Sequence, residues 1–364
     1  MNTFGKILQI TTFGESHGVA VGVTIDGFPS NFKINLDFIK QELDRRKTGQ
    51  SRLVSQRKEL EEFEIVSGVF DGKTTGHPIM IIIYNSNAKS KDYDNVKNLF
   101  RPNHADLTYH QKYGIRDYKG GGRSSARETT SRVLAGSIAK QFLKEKFGTE
   151  IFAYTKQVGK FIAKNIDLSI IENNAIRTAD SEIADDMIKL IANFAGNGDT
   201  IGGILECTVK NPLKNLGEPT FGKIKARLAD AMLSIGAVQG FEYGAGFDVI
   251  NETGNSYNEG FTTSPQCSPL GGEGVENFIH SPNNNYGGIL GGITTGEDII
   301  FRIAVKPTSS IYKPQKTVDI DGNSVEFQIR GRHDPCILPR VVPIVESMVA
   351  LVLMDLYLID KSKR

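Results

Sequence analysis

The sequence predicts an α+β chain with antiparallel strands. Three observations carry this. Residues 6–26 alternate apolar and polar positions with glycines between, which is the pattern of two antiparallel strands. Residues 78–84 form a continuous apolar run (Ile79, Met80, Ile81, Ile82, Ile83) that reads as a strand buried on both faces. A helix running through Val133, Leu134, Ile138, Phe142 and Leu143 to about Phe147, and another over 341–358, carry apolar residues at helical length, and the second is too apolar for a surface element.

Taken in order, the first two strands enclose Thr11-Thr12-Phe13-Gly14-Glu15-Ser16-His17-Gly18, either a plain turn or a loop holding functional groups at a strand end. Asn35 caps a helix through about Arg46, with Leu36, Ile39 and Leu43 on one face. A basic loop follows, Asp44 to Arg52, of the kind that is usually a solvated charge run. Residues 62–70 and 78–84 read as strands around the turn Asp71-Gly72-Lys73. Residues 86–100 are loop-like. In Arg101-Pro102-Asn103-His104-Ala105-Asp106, Pro102 restricts the backbone and suits holding His104 in place.

The stretch Lys119–Arg132 organises the rest. Gly120, Gly121 and Gly122 let backbone approach a ligand closely. Ser125-Ala126-Arg127-Glu128 has the form of a capping box at a helix start. Free N–H donors, the helix dipole, Arg123, Arg127, Ser124 and Ser125 together predict an anion site, most simply for phosphate.

Beyond the helix to Phe147, residues 150–200 hold a strand and an amphipathic helix from about Ile183 to Phe194. A strand is expected over 201–209, a helix over 220–235 and a strand from Phe241 to Ile250. Residues 251–285 are rich in Asn, Gly, Ser and Pro, the composition of a lid or a disordered insert. Gly287-Gly288-Ile289-Leu290-Gly291-Gly292 brings backbone close to a ligand or to another strand. Lys306-Pro307-Thr308-Ser309-Ser310, at the end of strand 299–305, forms a second anion cradle. Thr74-Thr75-Gly76 and Thr294-Thr295-Gly296 each precede an Ile-rich strand, which is thin ground for a repeat.

Composition limits the function. The chain has 364 residues, 39% hydrophobic and 23% charged, which places it among soluble globular proteins. Length alone allows two or three domains. No apolar run is read as a membrane span, and the start lacks a signal-peptide pattern. Cys207, Cys267 and Cys336 give neither a disulfide framework nor zinc spacing, so a reducing, cytoplasmic compartment is expected. A net charge of +1 argues against a nucleic-acid binder and against an RNA-binding module using the arginine loops. Yet Arg45, Arg46, Arg52 and Arg57, then Arg101, Arg116, Arg123, Arg127 and Arg132, are concentrated, which suits a small, highly charged ligand. No P-loop, Rossmann or Gly-x-Ser-x-Gly motif is present, and the histidines are not spaced as metal ligands. The residues alone lead to an enzyme of anionic, phosphorylated small molecules that uses histidine acid–base chemistry.

Four segments, 12–18, 101–106, 122–129 and Gly331-Arg332-His333-Asp334-Pro335-Cys336, together resemble the chorismate synthase family, from about residue 5 to 358. The resemblance implies a β-α-β sandwich with helices between two antiparallel sheets, one domain over 1–364, and a homotetramer. It implies conversion of 5-enolpyruvylshikimate 3-phosphate to chorismate and phosphate, an anti-1,4-elimination that requires reduced FMN with no net redox change. By motif, His17 resembles the acid near the departing phosphate, and His104 the histidine that protonates or stabilises the reduced flavin. Asp334 resembles the aspartate that works in removing the C6 proton. Arg46, Arg52, Arg101 and Arg127 match substrate-binding arginines, and Arg46 and Arg52 also match NADPH positions. FMN contacts map to Arg123, Ser124, Ser125, Gly236, Ala237, Gly291, Lys306, Pro307, Thr308, Ser309, Ser310 and Arg332. Where the family reads Asn-Ala or Pro-Ala this chain reads Gly236-Ala237, so only backbone contact is available at 236. The competing enzyme class is a flavoprotein oxidoreductase that consumes NAD(P)H stoichiometrically. No pyridine-nucleotide domain is recognisable, so an external flavin reductase is expected.

Overall fold

The computed structural model describes residues 2–55, 61–85, 93, 95–258, 260–267, 275–329 and 333–363. A first unit runs β1 (Gln9–Gly14), β2 (Ala20–Asp26), α1 (Leu36–Arg46), β3 (Glu64–Ser67), β4 (Ile79–Tyr84), α2 (Asp106–Tyr113) and α3 (Thr129–Phe147). A second runs β5 (Glu150–Val158), α4 (Ser181–Gly196), β6 (Gly203–Lys210), α5 (Ile224–Leu233), β7 (Val238–Tyr243), β8 (Ile299–Val305) and α6 (Leu338–Lys363). Each unit makes a five-stranded antiparallel sheet. The orders are Thr3–Phe4, β1, β2, β4, β3 and β7, β8, β6, β5, Phe161–Ile162. Helices α1, α3, α5 and α6 lie between the sheets, as the sandwich expectation required, while α2 and α4 lie outside this layer.

Local chemistry sets the helices. Asn35 Oδ1 accepts the Phe38 amide at 3.0 Å and caps α1, which buries Ile39 and Leu43. From Thr129 to Leu143, α3 is buried at nearly every position, because a helix between two sheets has no solvent face. The same reason accounts for α6, buried from Leu338 to Leu356. Contrary to the sequence expectation, α6 is long and apolar enough to cross a membrane. Its apolar window has a mean hydropathy of 2.0, and 83% of that window lies inside the fold. The two helices cross closely at Gly136, where a Cβ would lie 2.3 Å from Ser347 Cβ.

The repeat hinted at by two Thr-Thr-Gly motifs is a property of the whole fold. Leaving α2 and α4 aside, both units run β-β-α-β-β-α. Strand order β1-β2-β4-β3 matches β5-β6-β8-β7. In the first unit, Thr74 N donates to Phe32 O at 2.9 Å, while Thr74 Oγ1 accepts the Phe32 amide and donates to Pro29 O. In the second, Thr294 N donates to Leu216 O at 3.0 Å, while Thr294 Oγ1 accepts the Leu216 amide and donates to Leu213 O. Thr75 N reaches Gly68 O, and Thr295 N reaches Gly288 O, both at 3.0 Å.

Four expectations change. Strand β4 alternates, with Ile79, Ile81 and Ile83 buried and Met80 and Ile82 half-buried, so one face is less covered than the other. Strand β7 ends at Tyr243, because Gly244 and Gly246 take positive φ and a 3₁₀ turn follows over Gly246–Asn251. The Ser125–Glu128 capping box does not close. Ser125 Oγ accepts the Arg127 amide at 3.3 Å, but Glu128 turns to Thr12 and Arg132. Two 3₁₀ turns therefore precede α3. The expected lid at 251–285 holds a short helix, Gly254–Tyr257, and a hairpin of Thr262–Cys267 with Val275–His280.

Glu346, 2% exposed, ties the layer together. It pairs with Arg45 of α1 at 2.6 Å and with Lys140 of α3, and accepts the Ala153 amide of β5 at 3.1 Å. Burial pushes its carboxyl up, but Arg45 and Lys140 outweigh burial and hold it well below the usual carboxylate range. A carboxyl lowered by folding stabilises the fold fully above its unfolded value, near about 4.3, and that contribution fades as pH falls. Glu346→Gln is expected to unfold at lower urea than the parent at about pH 7, with the gap narrowing towards about pH 3. An unchanging gap would show that the charge of Glu346 contributes nothing.

Candidate active site

A cleft of about 1090 Å³ opens where the two units meet. The connection from β4 to α3 forms one wall and the connection from β8 to α6 another. They touch directly: Phe100 N donates to Val318 O at 3.1 Å, and Lys306 Nζ and Ser309 Oγ both donate to Asn103 O, at 2.6 and 2.7 Å. The segments after α1 (Arg46, Thr48, Ser55) and after α5 (Ser234, Ile235, Gly236, Ala237) complete the lining, from equivalent places in the two units.

The triple glycine seats His17 and His104. All three glycines have positive φ, at 68°, 85° and 52°. A Cβ on Gly120 would lie 2.3 Å from His17 Cδ2, and one on Gly121 would lie 3.5 Å from His104 Cε1. His17 also meets the Tyr93 ring edge-on at 5.1 Å. Next to the loop, Arg123 Nη2 donates to Thr12 Oγ1 at 2.7 Å, and Ser124 Oγ to Gly121 O at 2.7 Å.

Three of the predicted arginines, Arg46, Arg101 and Arg127, are held by carboxylates. Arg46, 1% exposed, pairs with Glu61, whose same oxygen pairs with Arg127 Nη1 at 2.7 Å. Arg101 forks onto Asp106 at 2.7 and 2.9 Å, with Arg116 at 2.9 Å from the same carboxylate. Burial pushes the Asp106 carboxyl up, but hydrogen bonds from Arg101 and His104 prevail and hold it well below the usual range. Asp334 accepts the Ser55 amide at 2.6 Å on one oxygen and Arg340 at 2.6 Å on the other.

Lys306 has a different environment. Burial lowers its pKa, and its hydrogen-bond partners among the described residues are neutral oxygens of Asn103 and Ser309. No carboxylate among the described residues matches its charge, which suits an anion. Beside it, Ala237 holds a φ of 74°, a strained conformation for a residue with a side chain, and its carbonyl accepts the Lys306 amide at 2.9 Å. Among the described lining residues, seven arginines and one lysine face four carboxylates. The cleft is therefore an anion chamber, and its volume lies at the top of the range for a single small-molecule site.

The cleft brings together His17, His104, Asp334, Arg46, Arg101, Arg123, Ser124, Ser125, Arg127, Gly236, Ala237 and Lys306–Ser310. Arg52 and Gly291 do not line it. Arg52 sits exposed on a turn whose inward residue is Leu53. Gly291 is exposed at a hairpin tip, at φ 60°, where the first unit has Asp71 at φ 48°. Arg332 lies outside the described residues. None of the described residues of 251–285 lines the cleft. Sequence reasoning passed over Glu61, Asp106 and Arg340 as functional groups. Asp106 and Arg340 lie five and six residues from a singled-out arginine and aspartate, a spacing that could have marked them. Glu61 sits in an acidic run and carried no signal.

Removing one partner of a buried ion pair strands the other charge. Glu61→Ala is expected to cost about 3–5 kcal/mol of stability, read as a lower urea midpoint. A cost under about 1 kcal/mol would show that the two arginines do not depend on it.

Comparisons with known proteins agree with this geometry. The family model described as chorismate synthase matches residues 8–358. A chorismate synthase of Phocaeicola vulgatus is 50% identical over 365 residues, covering 99% of each chain. One of Christiangramia forsetii is 49% identical, covering 100% of this chain and 99% of its own. A crystal structure of a chorismate synthase superposes with a TM-score of 0.75 at 28% identity, covering 98% of this chain and 93% of its own. A full-length match in sequence, the same fold and an arginine-walled cleft at the seam of its two halves place this chain in the chorismate synthase family.

Proposed function

We propose that this chain converts 5-enolpyruvylshikimate 3-phosphate to chorismate and phosphate, acting as a carbon–oxygen lyase in the route to aromatic amino acids. The observation that carries the proposal is the seating of His17 and His104 on adjacent glycines of one loop, in a cleft that also holds Asp334 and an excess of arginine. The substrate brings a phosphate and two carboxylates, and a chamber with eight lining cations suits that charge.

The elimination breaks a ring C–H bond and an allylic C–O bond. The C–H pair becomes a new double bond, the existing double bond shifts, and the C–O pair departs with phosphate. Arg46, Arg101 and Arg127 bind the anionic groups, and their shared carboxylates hold the guanidinium planes in place. His17, braced by Gly120 and Tyr93, gives a proton to the leaving phosphate. Asp334, held by Ser55 and Arg340, takes part in removing the ring proton.

Reduced FMN fits the remaining residues. Lys306–Ser310, Arg123, Ser124, Ser125 and the backbone of Gly236 and Ala237 would hold it, with Lys306 supplying the unmatched positive charge. When bound, reduced FMN supplies electron density transiently to the substrate. His104 presents Nε2 on the cleft side, where it can accept a proton and return it. Because the elimination is redox-neutral, NADPH or a separate flavin reductase serves only to reduce the flavin. The active protein is a cytoplasmic homotetramer of one domain per chain.

The test is an anaerobic assay of phosphate release from 5-enolpyruvylshikimate 3-phosphate, with and without dithionite-reduced FMN. Release only with reduced flavin, and without pyridine nucleotide consumed per turnover, is expected. No release, or stoichiometric NAD(P)H consumption, would overturn the proposal. His17→Ala and His104→Ala are each expected to lower turnover by about 10²-fold or more with unchanged circular dichroism. Parental rates in both variants would remove the histidines from the mechanism.

A further inference from the structure

Asp106 opens α2 and is 4% exposed. Its Oδ1 lies 3.1 Å from His104 Nδ1, 2.9 Å from Arg101 Nη2 and 2.9 Å from Arg116 Nη1. Its Oδ2 accepts Arg101 Nε at 2.7 Å and the Arg101 amide at 3.2 Å. Arg101 Nη2 also stands 3.2 Å from His104 Nδ1. These distances decide where the imidazole hydrogen sits. Were Nδ1 bare, it could accept from Arg101, but its lone pair would face a buried carboxylate oxygen with no hydrogen between them, which is repulsive. With hydrogen on Nδ1, His104 and Arg101 both donate to the one carboxylate, and that gain outweighs the 3.2 Å approach of Arg101 Nη2 to Nδ1, where two donors then face each other. The other ring nitrogen then points away from Asp106. His104 Nε2 lies 3.6 Å from where a Gly121 Cβ would stand, on the glycine loop that lines the cleft.

We propose that Asp106 is the positioning residue of this site: it fixes His104 with hydrogen on Nδ1, turns Nε2 to the cleft, and aligns Arg101 with the same carboxylate. This rests on the role given to His104 above. Asp106 touches neither substrate nor cofactor in this account and acts through its two neighbours. The consequence is that a histidine and an anion-binding arginine share one anchor, so their spacing is set by a single side chain rather than by the loop backbone.

The test reads the tautomer directly. The chain has six histidines, so ¹⁵N-labelled full-length protein gives six ring-nitrogen patterns, and His104→Ala identifies one of them. Hydrogen on Nδ1 of His104 is expected in the parent. Asp106→Asn is expected to move it to Nε2 and to lower kcat by about tenfold or more. In a His104→Ala background, Asp106→Asn is expected to leave kcat where His104→Ala put it and to raise KM through Arg101. A bare Nδ1 in the parent, or an undiminished kcat loss in the His104→Ala background, would sink the proposal. Should Asp106→Asn fail to fold, the parent spectrum still decides. A wrong tautomer in an active enzyme removes this inference alone, whereas a correct tautomer without phosphate release removes the reaction and leaves the anchor.

Discussion

Gly136 and Ser347 let α3 and α6 approach more closely than any side chain at 136 would allow. The rest of the molecule is arranged around that approach. Each helix ends one of the two units, and each unit's sheet covers one side of the helical layer. The connections that lead into α3 and α6 come from equivalent strands, β4 and β8. They must therefore emerge at the same end of the layer and meet. The first turns of both helices border the cleft, through Thr129 on one side and Arg340, Val341 and Ile344 on the other. Two positive helix ends facing one chamber favour anions before any side chain is counted.

Charge then has to be managed. Seven lining arginines and one lysine in a partly dry cleft repel one another strongly. Carboxylates relieve this locally and are used sparingly. Glu61 serves Arg46 and Arg127, Asp106 serves Arg101 and Arg116, and Glu128 serves Arg132. Sharing one carboxylate between two guanidinium groups fixes geometry while leaving net positive charge, an arrangement that suits an anionic ligand. Lys306 is the extreme case, with neutral oxygens for its described hydrogen-bond partners.

The sequence was legible where one residue does one local job. The Asn35 cap and the buried apolar helix at 341–358 stand in the structure much as expected, whereas the loop expected from Thr11 to Gly18 begins only after Gly14, where β1 ends. Periodicity misread β4, because a central strand between half-covered neighbours can be all isoleucine and still expose one face. It misread β7, because Phe241–Ile250 looks strand-like while Gly244 and Gly246 turn the chain. Glu61 and Asp106 escaped because their importance lies in partners. A carboxylate shared by two arginines is defined only once Arg46 and Arg127, 81 positions apart in sequence, come together.

The repeat was nearly invisible for a related reason. The Thr-Thr-Gly hairpin has the same residues in both units because the hydroxyl and amide of its first threonine, Thr74 or Thr294, are committed to the strand–helix connection beside it. Its work is structural and identical twice over. The connections that meet at the cleft have opposite demands: one carries the glycine loop and His104, the other a lysine cradle and Asp334. An asymmetric ligand needs different walls, so the equivalent segments of the two units had to diverge where they face each other. Similarity survives in this chain where the two halves do the same thing, and it is lost at the seam, where their difference makes the site.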